Sequence, residues 1–327
     1  MSTTGLQHAF LLDGKGGARK LDWAGVRGWS PNDGVIWINL DYSQPDAAAW
    51  LDGEARLDPL IRDALLDTDP RPRATAFGED LMLIVRGVNM NEGSDPEDMI
   101  SVRAWIEPRR IITMRHRVSR SLKILTAEVE QGRGPTNAGG LAIELVEKVV
   151  EHLVTRVDKL GDEIAACEDQ ALGDPRGDLR GRLADLRRRA IALRRFLAPQ
   201  REALQKLGQI SLPWLDDNHH QRVVEVADRM TRTVEELDAA RDRAAVTQEE
   251  LSSRQSETTN QRLYVLSIIT AVFLPLGFVC SLLGVNVGGV PFTHDDWAFW
   301  ALIAVFAIGV WIQVQIFKRR GWIRKDR

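Results

Sequence analysis

The sequence predicts an α+β fold: an N-terminal mixed α/β domain, a long helical stalk, and two transmembrane helices towards the C-terminal end. Three observations carry this expectation. Short apolar runs bounded by Gly, Pro or Asp recur through residues 1–135, a seven-residue apolar repeat occupies 223–251, and uncharged stretches lie at 263–283 and 297–317. At 327 residues the chain has room for about two ordinary domains. Its average composition, 44% hydrophobic and 27% charged, hides a concentration of apolar residues late in the sequence. Two cysteines, Cys167 and Cys280, argue against a disulfide-stapled secreted fold. A net charge of -3 and a pI near 6.1 speak against a dedicated nucleic-acid binder. Residues 1–10 lack a basic start leading into a long apolar core, so no cleavable signal peptide is expected.

In the first domain (1–135), residues 9–12, 35–38, 81–85, 100–106 and 110–114 read as strands, and 45–51 and 57–66 as helices. A mixed sheet with covering helices follows. Gly14-Lys-Gly-Gly17 lacks the spacing and closing Lys-Ser/Thr of a phosphate loop and reads as a turn. The acidic segment 95–98 reads as a solvated turn or a regulatory cation site.

The stalk (136–257) opens with helical spacing over 141–172, broken at Gly173-Asp-Pro175, and continues with an Arg-rich helix over 179–207. Leu and Ala interleave with Arg187, Arg188, Arg189, Arg194 and Arg195, so these arginines form a solvated helical face rather than a nucleic-acid contact. Residues 211–218 supply caps for a last helix. Val223, Met230, Leu237, Ala244 and Leu251 recur along it, with Val226 and Ala240 at the intermediate seam position. No Pro or Gly separates Asn218 from Leu274, so one helix is expected to run from the stalk into the first span. Such a helix needs partners, namely the two preceding helices and further copies of the chain.

In the third region (258–327), about 20 uncharged residues at about 1.5 Å each cross a hydrocarbon layer of about 30 Å. The connection 284–296 is short and forces a hairpin. It lacks Lys and Arg, whereas Arg254, Arg262, Lys318, Arg319, Arg320, Arg324, Lys325 and Arg327 flank the spans on the other side. Both termini are therefore expected in the cytoplasm, with Trp297 and Trp300 in the outer interfacial belt and Trp322 near the inner one.

One face of the first span reads Asn260, Leu263, Ser267, Thr270, Leu274, Gly277 and Ser281 in steps of three and four. It has two readings. Hydroxyl and amide oxygens can exchange for water around a hydrated cation, with leucines as dewetting gates. Small residues also serve ordinary helix packing in membranes. Neither span carries Asp, Glu or His, which disfavours a carrier built on midplane ionisable groups. In the connection, His294, Asp295 and Asp296 would become a crown of charge in a symmetric ring and concentrate divalent cations. A hairpin this small encloses no pore alone, so transport requires an oligomer. Near the last helix, His219 and His220 beside Asp216 and Asp217 are candidate metal ligands, with a capped first turn as the simpler reading. Cys167 and His152, fifteen apart, share no clean helical face.

Gly284-Val285-Asn286, placed after one span and before a short acidic loop and a second span, resembles the Gly-Met-Asn signature of CorA-type metal-ion transporters. Val285 stands where that pattern has Met, a change typical of the zinc-transporting ZntB branch. Residues 69–73 (Asp-Pro-Arg-Pro-Arg) and 86–99 resemble that branch too, and the resemblance covers essentially the whole chain. It implies a homopentameric funnel in a bacterial inner membrane, with each first span lining the axis. It also implies proton-coupled Zn2+ uptake, with Asn286 holding the hydrated ion at the outer mouth and Gly284 allowing a tight turn. The partners implied are further copies of the chain, the lipid bilayer, divalent metal ions and protons, with no nucleic acid. The metal is cargo and no resident cofactor is expected. The alternatives are a Mg2+/Co2+ channel of the same architecture, Zn2+ efflux, and a membrane-tethered sensor or scaffold. No nucleophile, base and orienter set suggests an enzyme.

Overall fold

The computed structural model describes residues 4–95, 97–173, 177–285, 295 and 297–319. In chain order the first part contains β1 (Leu6–Leu12), β2 (Ala18–Leu21), α1 (Trp23–Gly28), β3 (Ile36–Asp41), α2 (Pro45–Gly53) and α3 (Pro59–Leu66). It continues with β4 (Arg73–Phe77), β5 (Asp80–Gly87), β6 (Ile100–Ile106), β7 (Arg110–Arg115) and α4 (Arg120–Glu130). The strands form one seven-stranded sheet in the order β2-β1-β3-β7-β6-β5-β4. Only β3 and β7 pair in parallel, so the sheet is mixed, as expected. The strands expected from apolar runs all form. The two edge strands, β2 and β4, and the helix α1 are additional and too short to show a period, and α4 is additional although Leu122, Leu125 and Val129 recur at helical spacing along it.

Both faces of the sheet are covered, and this is why β5 is buried almost from end to end. On one face Ile36, Ile38, Leu40, Met82, Ile84 and Ile112 pack against Trp50 and Leu51 of α2 and Ile61 and Leu65 of α3. On the other, Leu81, Leu83 and Val85 are buried where helices of the stalk contact β4 and β5. The Gly14–Gly17 stretch is a turn: the Asp13 carboxylate accepts the amides of Lys15 and Gly17 at 2.7 and 2.9 Å. The N–H groups that a phosphate would need are thus already occupied.

The stalk contains α5 (Ala138–Leu172), α6 (Leu179–Gln209) and the long helix α7 (Asp217–Leu283). Val149, Leu153, Leu160 and Ile164 of α5 and Leu186, Leu193 and Leu197 of α6 are buried. So are Val223, Met230, Leu237, Ala244 and Leu251 of α7, together with Val226 and Ala240, so the heptad positions are the core seam. Ion pairs flank the seam: Arg222 of α7 grips Glu147 of α5 through two hydrogen bonds (2.9 and 2.5 Å), and Arg194 of α6 meets Asp238 of α7 at 2.6 Å. Arg187, Arg188, Arg194 and Arg195 are exposed, the solvated face expected. Sheet and stalk form a compact unit up to Glu249, and a second unit begins at Glu250.

Two packing details yield predictions. His8 of β1 lies within 4.9 Å of Phe10 and 4.6 Å of Trp37, ring centre to ring centre. Burial, reinforced by the charges of Lys20 and Arg115, lowers its pKa from 6.5 to about 3. The folded protein keeps this imidazole neutral while the unfolded chain protonates it below pH 6.5, so its contribution is complete above that pH and is lost towards pH 3. Between pH 7 and pH 5 the loss is about 2 kcal/mol at roughly 1.4 kcal/mol per pH unit. Thermal unfolding of the full chain should show this acid slope, and His8→Phe should flatten it. At the start of α5, Gly139 lies under the His219 ring. A Cβ there would stand 2.9 Å from both His219 Cε1 and the Trp214 carbonyl. Gly139→Ala should cost about 1–3 kcal/mol. Gly161→Ala, where the nearest atom is 4.0 Å away, should be neutral or stabilising in the same melts.

Candidate functional site

The second unit contains the distal part of α7 and α8 (Ala298–Arg319), both long and apolar enough to cross a membrane. At about 1.5 Å per residue, the 22 residues of α8 span about 33 Å. Gln313 of α8 reaches Ala271 of α7, and Phe317 lies by Tyr264, Ser267 and Ile268, so the helices run antiparallel. The face of α7 turned to α8 carries Ile268, Ala271, Val272, Leu276 and Val279, each partly covered.

The polar stripe lies close to the opposite side of the helix. At about 100° per residue, Leu263, Thr270, Leu274, Gly277 and Ser281 point away from the α8-facing line, while Ser267 lies at its flank beside Phe317 of α8. All are exposed, Leu274 at 69%. Asn260 is exposed on the same face one turn earlier. Packing on α8 therefore does not account for the stripe. Ser267 Oγ donates to the Leu263 carbonyl at 2.8 Å, and Thr270 Oγ1 to the Leu266 carbonyl at 2.9 Å. With the hydroxyl protons held by the backbone, the oxygen lone pairs are what these residues offer outward.

Pro275 lies inside α7. Lacking an N–H, it leaves the carbonyl four residues earlier without its helical partner. That carbonyl belongs to Ala271, and Gln313 Nε2 donates to it at 3.3 Å. An amide in one span thus repairs the gap in the other, as hydrocarbon demands. The sequence offered the signal, since a lone proline stands in one apolar run and two glutamines, Gln313 and Gln315, in the other, but spacing could not pair Pro275 with Gln313.

At the C-terminal end of α7, the Gly284 N–H closes the last turn on the carbonyls of Cys280 (3.0 Å) and Ser281 (3.2 Å). Gly284 does not adopt a left-handed conformation; a Cβ there would lie 3.2 Å from the Cys280 oxygen, so close packing is the constraint. Val285 is exposed. The Asp295 carbonyl accepts the Ala298 N–H at 3.1 Å, which sets Asp295 at the start of α8, where a carboxylate suits the helix dipole. Asn286, His294, Asp296 and Trp322 lie outside the described residues. Trp297 and Trp300 are exposed at that same end of α8.

The stalk histidines meet different fates. Asp216 Oδ1 accepts the His219 N–H at 2.8 Å and the Asp216 N–H donates to His219 Nδ1 at 3.3 Å, a reciprocal cap on α7. Burial lowers the His219 pKa, with Arg222 and His220 adding to the shift against the pull of Asp216. Asp217 is exposed and His220 half-buried, and no group of three or more His, Cys, Asp or Glu able to hold a metal occurs among the described residues. Cys167 is buried in the stalk seam, and His152 Nδ1 faces Ser121 Oγ at 3.1 Å. In the acidic segment, Glu97 pairs with Arg156 of α5 and Asp98 with Arg117. Burial, and then the neighbouring Asp95, raise the Glu97 pKa. The segment is thus a clasp onto α5, with arginines occupying the place of a cation.

Comparison with known proteins agrees with this architecture. Residues 32–319 match the family described as "CorA-like Mg2+ transporter protein". The chain is 34% identical over 306 residues to a Yersinia enterocolitica protein named "Zinc transport protein ZntB", covering 93% of this chain and 92% of that one. It is 35% identical over 323 residues to a Pseudomonas aeruginosa protein named "Divalent cation transporter CmaX", covering 98% and 97%. A solved structure described as the full-length CmaX protein superposes with a TM-score of 0.86 at 35% identity, covering 98% of this chain and 99% of the other. With its mixed sheet, its long helix and its paired apolar helices, this chain belongs to the CorA-like Mg2+ transporter family.

Proposed function

We propose that the chain transports Zn2+ across a bacterial inner membrane, taking it up with protons through the axis of a homopentamer. Both termini would lie in the cytoplasm. The observation that carries the reading is the face of α7 turned from α8, where hydroxyl oxygens with free lone pairs and leucines are exposed among the described residues. Five such faces turned to a common axis would form a narrow path of water-exchanging oxygens punctuated by apolar constrictions. Entry is governed by His294, Asp295 and Asp296, which concentrate the cation, and by Asn286, which holds it hydrated. Relatives named for zinc transport support the choice of metal. No Asp, Glu or His lies within 263–283 or 297–317, so the coupled proton travels with the metal's own acidified water or through His294.

A second reading is a Mg2+/Co2+ channel. Its support is the matching family's description and the oxygen-only character of the stripe, which suits hard cations. The hairpin geometry serves either metal. By repairing the gap at Pro275, Gln313 fixes how α8 sits on α7 and so keeps the stripe facing away from it.

Flux in proteoliposomes separates these readings. Zn2+ should enter faster when the outside is acidic, and Asn286→Ala should abolish the flux. Thr270→Val, which keeps the shape and removes the oxygen, should slow it several-fold. Mg2+ conducted in preference to Zn2+ would select the channel reading, a reversed response to the pH gradient would select efflux, and no flux would leave a tethered sensor. For the hairpin itself, Gln313→Leu should destabilise the folded membrane protein by about 0.5–2 kcal/mol. In a Pro275→Ala background, where Ala271 regains its helical partner, the same change should cost less. A double-mutant cycle measured by unfolding in detergent checks this coupling.

A further inference from the structure

The apolar core between the sheet and α3 ends in a polar cavity of about 290 Å3. It is lined by Ser101 and Arg103 of β6, Arg86 of β5, and Tyr42, Thr68 and His116. Arg103 is only 2% exposed. Its Nε donates to Ser101 Oγ at 3.3 Å, one Nη donates to the Leu65 carbonyl in the last turn of α3, and the guanidinium stacks on Tyr42 at 4.7 Å. Capping α3 uses one of five N–H donors and a partial charge, which leaves most of a buried cation uncompensated. Among the described residues no carboxylate forms an ion pair with Arg103. The carboxylates at the rim are otherwise engaged: Asp69 with Arg86, and Asp98 with Arg117. Asp67 and Asp69 only partly offset the loss of hydration that pulls the Arg103 pKa down. Arg86 is itself buried, and its Nε has no hydrogen-bond partner. Arg103, without a carboxylate partner, and Arg86, already paired with Asp69, thus converge on a half-open space beside three hydroxyl-bearing side chains and a histidine, and it is at Arg103 that an anion is missing.

We propose that this cavity binds a tetrahedral oxyanion of the phosphate class, either inorganic phosphate or the phosphate group of a small metabolite, with the Arg103 fork as its principal anchor. The volume, at the small end of ligand sites, suits one phosphate with little attached. Arginine is matched to such an oxyanion because its planar donors grip two oxygens at once, which lysine cannot do. This assignment is independent of which metal crosses the membrane.

The test is isothermal titration of the full chain in detergent at constant ionic strength. Inorganic phosphate should bind saturably, one per chain, while sodium chloride gives only dilution heat. Glycerol phosphate binding more tightly than phosphate would assign the site to an ester, and the reverse to the free anion; either supports a phosphate-class ligand. Arg103→Lys keeps the charge but not the fork and should weaken phosphate binding roughly tenfold. Thr68→Val, at an exposed rim position, should weaken it several-fold and remains informative if the lysine variant does not fold. Phosphate heats indistinguishable from those of chloride, or an Arg103→Lys protein that binds phosphate as tightly as the wild type, would overturn the assignment.

Discussion

The structure depends on α7 meeting the demands of two solvents with one backbone. Over the stalk it is a water-exposed helix whose apolar seam, Val223 to Leu251, must be buried by neighbours. Beyond residue 263 the surroundings are expected to be hydrocarbon, where apolar side chains gain little by hiding and every backbone polar group needs a partner within the protein. Burial makes the stalk cohere. In the hairpin hydrogen bonding takes over, and the Gln313 amide on the Ala271 carbonyl is its visible expression. The two regions therefore have different tolerances: the stalk is sensitive to lost volume, the hairpin to lost donors and acceptors.

The same division shapes the sites. In the water-exposed unit, acidic groups that look like metal ligands in the sequence are consumed by structure: Asp216 caps a helix, while Glu97 and Asp98 are bound by arginines. The polar residues of the first span have no such employment. Ser267 and Thr270 give their protons to their own helix and keep their oxygens outward, which is compatible with passage of a hydrated ion and wasteful for lipid contact. Its sparseness suits the proposed path, since one that bound its ion strongly would not release it.

Much of this architecture was legible from residue patterns because the underlying signals are strong and local. The heptad seam, the strands with apolar runs, the long helix and the two spans each follow from periodicity over many residues. The short edge strands β2 and β4 were not legible, since four or five residues with one face in solvent carry almost no pattern. Local spacing did place the stripe on one face; that this face looks away from α8 required the second helix. Long-range pairings such as Gln313 with Ala271, or Arg103 with the carbonyl end of α3, are invisible to any reading that proceeds along the chain. Gly284 stands in a turn, and what residue patterns do not show is its close approach to the Cys280 carbonyl.

The edge strands have a consequence for biosynthesis. β2 exposes Arg19 and Lys20, so this rim of the sheet presents charge where another chain would have to pair. Translation delivers this unit first and the lipid-seeking hairpin afterwards. A nascent polypeptide can thus complete its soluble part on the ribosome, alongside identical copies on the same messenger, without strands from neighbouring copies zipping together before the apolar segments emerge for insertion.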